Sequence, residues 1–90
     1  MKVVVTTVGK DRVGIIAKES QILAENGVNI LNINQNITGG FFNMVMIAEM
    51  PDNGGIQLAD LQAKLKELGK EMGLEIKAQH QDIFNIMHDV

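Results

Sequence analysis

Gly9-Lys10-Asp11-Arg12-Val13-Gly14 is a polar, glycine-bracketed turn, and the segments on its two sides follow different periods. Residues 3–8 before it are almost wholly β-branched, the composition of a strand buried on both faces. After it the apolar residues step at helical intervals, Val13, Ile16, Ala17, then Leu23 and Ala24, with Lys18, Glu19, Gln21 and Glu25 outward. The spacing predicts a helix over 13–26, with Asp11 accepting a backbone N–H of its first turn and Gly27 ending it. Gly14, inside that turn, leaves backbone N–H groups uncovered for a small anion such as a carboxylate or phosphate. The same residues also read as no more than a capped strand-to-helix joint.

Downstream, residues 28–38 read as a strand with Leu31, Ile33 and Ile37 on one buried face and Asn32, Asn34 and Asn36 on the other. Asparagine is depleted in strands, so this run, with Asn29 and Gln35, calls for a reason. Gly39-Gly40 is a tight-turn signal, and the strand that follows carries Phe42, Met44, Met46, Ala48 and Met50 on one side. Phe41, Val45 and Ile47 fall on its other side, which predicts a central strand covered on both faces. Pro51 ends it, and residues 52–55 form a loop.

Leu58, Leu61, Leu65, Leu68 and Met72 mark a second helix by their steps of three and four. Asp60 and Lys64 stand four apart on it, a pairing worth about 0.3 kcal/mol. Gly69 is a mild internal penalty and Gly73 the stop. Leu74, Ile76 and Ala78 then alternate with Glu75, Lys77 and Gln79 as a half-exposed edge strand. Asp82 is placed to cap a short amphipathic helix presenting Ile83, Phe84, Ile86 and Met87.

The order is β-α-β-β-α-β with a terminal helix. Right-handed crossovers place both helices on one face of a four-stranded antiparallel sheet, an α+β, ferredoxin-like sandwich. Residues 1–90 make one domain, with a core over 2–81 and an amphipathic tail over 82–90. The second sheet face is apolar at the central strands and needs a cover: the terminal helix, another subunit, or both. This predicts a homodimer.

The chain has a net charge of −3 and a hydrophobic content of 46%, enough for a globular core. Its lysines form no basic stripe and its only aromatics are Phe41, Phe42 and Phe84, so nucleic-acid binding lacks both an electrostatic footprint and stacking platforms. With no cysteine, disulfides, thiolate metal sites and thiol catalysis are excluded. No apolar run approaches the roughly 20 residues of a membrane span. A cytoplasmic protein is expected. The methionines of the third strand read as core, and His80, His88, Asp82 and Asp89 lack metal-ligand spacing, so neither a metal nor a cofactor is expected.

Asp11-Arg12-Val13-Gly14, Asn29-Ile30 and Gly39-Gly40, in this order and topology, give the chain its resemblance to ACT domains over residues 2–81. It most resembles stand-alone ACT-domain proteins similar to those of glycine-cleavage-system transcriptional repressors. The resemblance implies a regulatory module that pairs with a second copy and binds an amino acid near the interface. Carried over residue by residue, the ligand set is Asp11, Arg12, Val13, Gly14, Asn29 and Ile30. An amino-acid carboxylate suits the N–H groups near Val13 and Gly14, and its ammonium suits the Asn29 side-chain oxygen, with Asp11 beside it. Two departures stand out: relatives often carry Pro at the place of Val13 and Asp at that of Asn32. The second removes a negative charge near the pocket.

Other functions on this topology fit less well. Arg12 and Asn43 invite comparison with acylphosphatases, but the glycine-rich phosphate loop is missing and Asp11 would repel the substrate. Gly40-Phe41-Phe42 hints at an RNA-recognition motif whose basic residue and partner aromatics are missing. A ligand-free structural or adaptor dimer with a protein partner remains the alternative to the sensor. No catalysis is expected.

Overall fold

The computed structural model describes residues 1–88, and of residues 86–88 only the backbone. The expectations for the side chains of Ile86, Met87 and His88, and for Asp89, lie outside the described residues. The elements are β1 (Lys2–Lys10), α1 (Ile15–Glu25), β2 (Asn29–Thr38), β3 (Phe41–Glu49), α2 (Leu58–Met72), β4 (Leu74–His80) and α3 (Gln81–His88). The strands form one antiparallel sheet in the order β2-β3-β1-β4, the ferredoxin-like arrangement that the hydrophobic pattern predicts.

Register divides the side chains between two faces. Val3, Val5 and Thr7 of β1 stand opposite Ala48, Met46 and Met44 of β3, and Ala78 and Ile76 of β4 oppose Val5 and Thr7. All of these are buried beneath α1 and α2 with Leu23, Leu61, Leu65 and Met72. The opposite face carries Val8, Phe41 and Val45, which are 38%, 52% and 40% exposed. The expectation that β3 is covered on both faces therefore fails within one copy of the chain. Val4 is the exception on that face, buried at the end where α3 touches β1 and β4.

The backbone alternation is equally definite. The Gln62 side-chain amide donates to the Ala78 carbonyl at 2.7 Å, which marks Ala78 as a residue whose backbone groups face away from β1. Alternation carried across the paired registers then points the backbone of Ile76 outward on β4 and that of Ile33, Gln35 and Ile37 outward on β2.

Helix α1 departs from its sequence reading. It starts at Ile15, and its cap is Gly14 at φ 93°, with no side-chain hydrogen bond, so Asp11 is not the N-cap. Its buried stripe is Ile15, Glu19 and Leu23, with Ile16 and Ile22 half-buried, whereas Val13 is 98% exposed and Ala17 and Ala24 are exposed. The helix starts two residues later than the spacing predicts, and its inward face is centred on Glu19 rather than on Val13 and Ala17. Its C-terminus closes as expected around Gly27 at φ 71°: Gly27 N–H donates to Ala24 O at 3.1 Å and Val28 N–H to Leu23 O at 2.9 Å.

β2 is an edge strand and nearly all of it is exposed. A bulge between Ile30 and Asn32 takes Leu31 out of the simple alternation, and with the edge position of the strand Leu31, Ile33 and Ile37 are 47%, 43% and 54% exposed instead of buried. The asparagines Asn32, Asn34 and Asn36 do lie on the open face, opposite Ile47, Val45 and Asn43. At the C-terminus Asp82 is not a cap: its N–H donates to His80 Nδ1 at 3.1 Å.

Gly69 is no mere helix penalty. A β-carbon there would stand 2.5 Å from the Leu74 carbonyl oxygen, so its absence lets α2 lie directly on the start of β4. Gly69→Ala, which would gain about 1 kcal/mol by helix propensity alone, is expected instead to lose about 1–3 kcal/mol by overpacking, measured by urea denaturation.

Candidate functional site

The β1–α1 loop is held at two points. Asp11 N–H donates to Gly40 O at 2.8 Å, which ties the loop to the β2–β3 hairpin. Arg12 Nη1 donates to Met72 O at 3.2 Å, which ties it to the C-terminal end of α2, where a cation is favoured. Arg12 stays exposed. Gly14 is required by its φ of 93° and not by space, because a β-carbon there meets nothing within 4 Å. Its carbonyl accepts from Lys18 N–H at 3.0 Å, opening α1 with no capping side chain and no acidic residue in the first turn. These first-turn N–H groups can receive an anionic oxygen.

Asn29 and Ile30 lie elsewhere. Asn29 pairs with Glu49, whereas the loop side of the sheet is marked by the Lys10–Phe41 and Thr38–Phe41 pairs. Eight residue steps of β3 separate the two ends, about 26 Å at the rise of a strand. Within one copy, then, Asp11, Arg12, Val13 and Gly14 come together, and Asn29 and Ile30 form a second group at the far end. Ile30 is half-buried against the core, and Asn29 is exposed. Beside Asn29 sits an electrostatic cluster that the sequence reading missed: the Met1 ammonium meets Glu49 Oε2 at 2.8 Å, Asp52 Oδ1 at 2.9 Å and Met50 O at 3.1 Å. The hydrogen bond that the ammonium donates to Glu49, then that to Asp52, raises its pKa.

Another missed residue is Glu19. Its side chain is fully buried, Oε1 accepts from Thr7 Oγ1 at 2.8 Å, and Oε2 has no hydrogen-bond partner. Burial pushes its carboxyl up to about 7 against the partial opposition of the Thr7 bond. A signal was present in the sequence: Glu19 stands four residues after Ile15 and four before Leu23, inside the stripe that faces the sheet. Among the described residues no group of His, Asp and Glu side chains is placed to hold a metal ion. No described helix is long and apolar enough to cross a membrane.

A βαββαβ sandwich with an open helix N-terminus after β1 and a bare sheet edge at β2 has the architecture of an ACT domain. The chain belongs to that family, whose model matches residues 2–79. A UPF0237 protein of Clostridium perfringens is 47% identical over 90 residues, with each chain covered completely. The solved ACT domain protein from Streptococcus pneumoniae is 32% identical and superposes with a TM-score of 0.80 over 93% of each chain. A structure described as a candidate glycine cleavage system transcriptional repressor is 26% identical with a TM-score of 0.72; it matches 87% of this chain and 44% of its own. ACT domains are generally regulatory modules that bind small molecules.

The Glu19 carboxyl sets a pH dependence of known sign. Its folded pKa of about 7 lies above the ordinary 4.5, so between these values the folded chain holds a proton that the unfolded chain releases. Stability therefore falls as pH rises from about 4.5 to 7, by a total on the order of 3 kcal/mol. Glu19→Gln should flatten this slope and leave the variant more stable than the parent at pH 8, as read from denaturation midpoints across pH 4–8.

Proposed function

We propose that the chain is a non-catalytic cytoplasmic sensor that binds a free amino acid between two copies of itself, joined edge to edge through β2. The observation that carries this reading is the character of that edge. β2 has no charged residue and no proline over ten residues, and it exposes Leu31, Ile33 and Ile37. An edge so unprotected is suited to pairing with another strand. Antiparallel pairing of β2 with its copy about a two-fold axis sets the Asn29 end of one chain beside the Thr38 end of the other. Thr38 adjoins the hairpin to which Asp11 is bonded, so the two groups of candidate ligand residues meet across the interface although they stand apart within one chain.

The chemistry divides accordingly. The ligand carboxylate lies against the uncapped N–H groups after Gly14, with Arg12 alongside, and Val13 gives the ligand an apolar contact. Its ammonium is received by the Asn29 side-chain oxygen of the other copy, with Glu49 on the neighbouring strand. Binding then favours the paired state by its differential affinity, and that shift is the regulatory output.

Gln35→Pro tests the pairing. It removes an outward N–H from the edge without touching the β2–β3 bonds, and should convert a dimer to a folded monomer in size-exclusion chromatography with light scattering. A thermal-shift screen against the common amino acids should give one selective stabilisation, about 2.7 kcal/mol at a hundredfold excess over Kd. Asn29→Ala should weaken that ligand by about 1–3 kcal/mol. A monomeric parent, or a screen without any hit, would sink the proposal.

A further inference from the structure

The second sheet edge, β4, lies in a groove of about 950 Å³. On the α2 side it is lined by Leu74, Ile76 and Ala78, each almost wholly buried, and on the open face by the part-exposed Val8 and Phe41. Its rims are basic: Lys66 and Lys70 stand on the α2 side and Lys77 on the other, against the single acid Glu75, in a chain whose net charge is −3. Lys77 Nζ already lies 3.4 Å from Glu75 Oε1, leaving the two α2 lysines as the uncompensated charges of the groove.

The backbone of this edge is also specific. Ile76 and Ala78 direct their N–H and C=O groups away from β1 and into the groove. One of those acceptors is occupied. The Gln62 amide donates to Ala78 O at 2.7 Å, the position from which the N–H of an added strand would donate. A flexible, exposed side chain thus stands in for a missing strand amide.

We propose that the β4 edge is a docking site for a short, extended, acidic segment of a partner protein, which adds to the sheet as a fifth strand and displaces Gln62. Backbone pairing at Ile76 and Ala78 supplies the register, alternate carboxylates of the segment meet Lys66 and Lys70 on the α2 side, and the β-branched side chains between them lie on the open-face side with Val8. This site is separate from the β2 interface and does not depend on it. A sensor built this way has one edge for its own copy and one for the protein it informs.

The test is selection of a random seven-residue peptide library displayed on phage against the full chain. The expected winners alternate acidic with β-branched residues. A synthetic winner should shift amide resonances of residues 66–79 in a ¹⁵N spectrum and bind more weakly as salt rises. Lys66→Glu with Lys70→Glu, both exposed positions, should weaken that peptide about tenfold or more and swing a repeat selection to basic sequences. N-methylation of alternate peptide residues should abolish binding, and Gln62→Ala should strengthen it. The proposal is overturned by a failure to enrich any sequence, by winners without acidic bias, or by shifts centred on β2 or the open sheet face. Binding indifferent to N-methylation, or a parent chain that self-associates through β4, overturns it equally.

Discussion

Both β-α-β crossovers deliver their helices to the same face of the sheet, and everything else about this molecule follows from that asymmetry. The covered face collects Val3, Val5, Met44, Met46, Ile76 and Ala78 beneath Leu23, Leu61 and Leu65 into one core. The other face keeps Val8, Phe41 and Val45 partly in water, with only Val4 buried near α3. Within one copy this leaves apolar surface uncovered, because among the described residues no third helix of comparable size lies on the second face. The proposed pairing answers that deficit, and the two sheet edges set the form it would take.

The edges are chemically unlike. β2 is long, uncharged and rich in asparagine, whereas β4 is shorter and carries Glu75 and Lys77 between buried residues, with Lys66 and Lys70 on the overhanging helix. The uncharged edge admits an identical copy at no electrostatic cost, while the basic one discriminates by charge. On the proposed reading, that division lets a small module pair with itself and still address a different protein. The loop after β1 belongs to the same logic. Its bonds to Gly40 and to Met72 fix it at the corner where α2 ends and the hairpin turns, so the proposed ligand at Gly14 would touch structure leading to both edges.

Glu19 shows the cost of building such a compact core. A carboxyl with one hydrogen bond and no counter-charge sits where α1 crosses β1, and no charged residue of the sheet face beneath it can relieve the burial. Neutralisation by a proton is the available relief, which is why its pKa is displaced towards neutrality.

What the sequence determined by itself was the order of the elements, the sheet and helix periods and the family. These depend on local pattern: the β-branched run before Gly9, the leucine stripe of α2, the Gly39-Gly40 turn and the Gly73 stop are each read from neighbours in the chain. Tertiary structure decided the rest, because it depends on what lies opposite. The start of α1 lies at a glycine in a left-handed conformation, not at the nearby aspartate. Gly69 has meaning only against Leu74. Leu31 and Ile33 are exposed because β2 is an edge, a fact fixed by pairing between distant strands. The candidate ligand residues illustrate the limit most sharply: Gly14 and Asn29 are fifteen positions apart in sequence but at opposite ends of a 9-residue strand ladder in space. Only the register, set by hydrogen bonds between segments far apart in the chain, places them there.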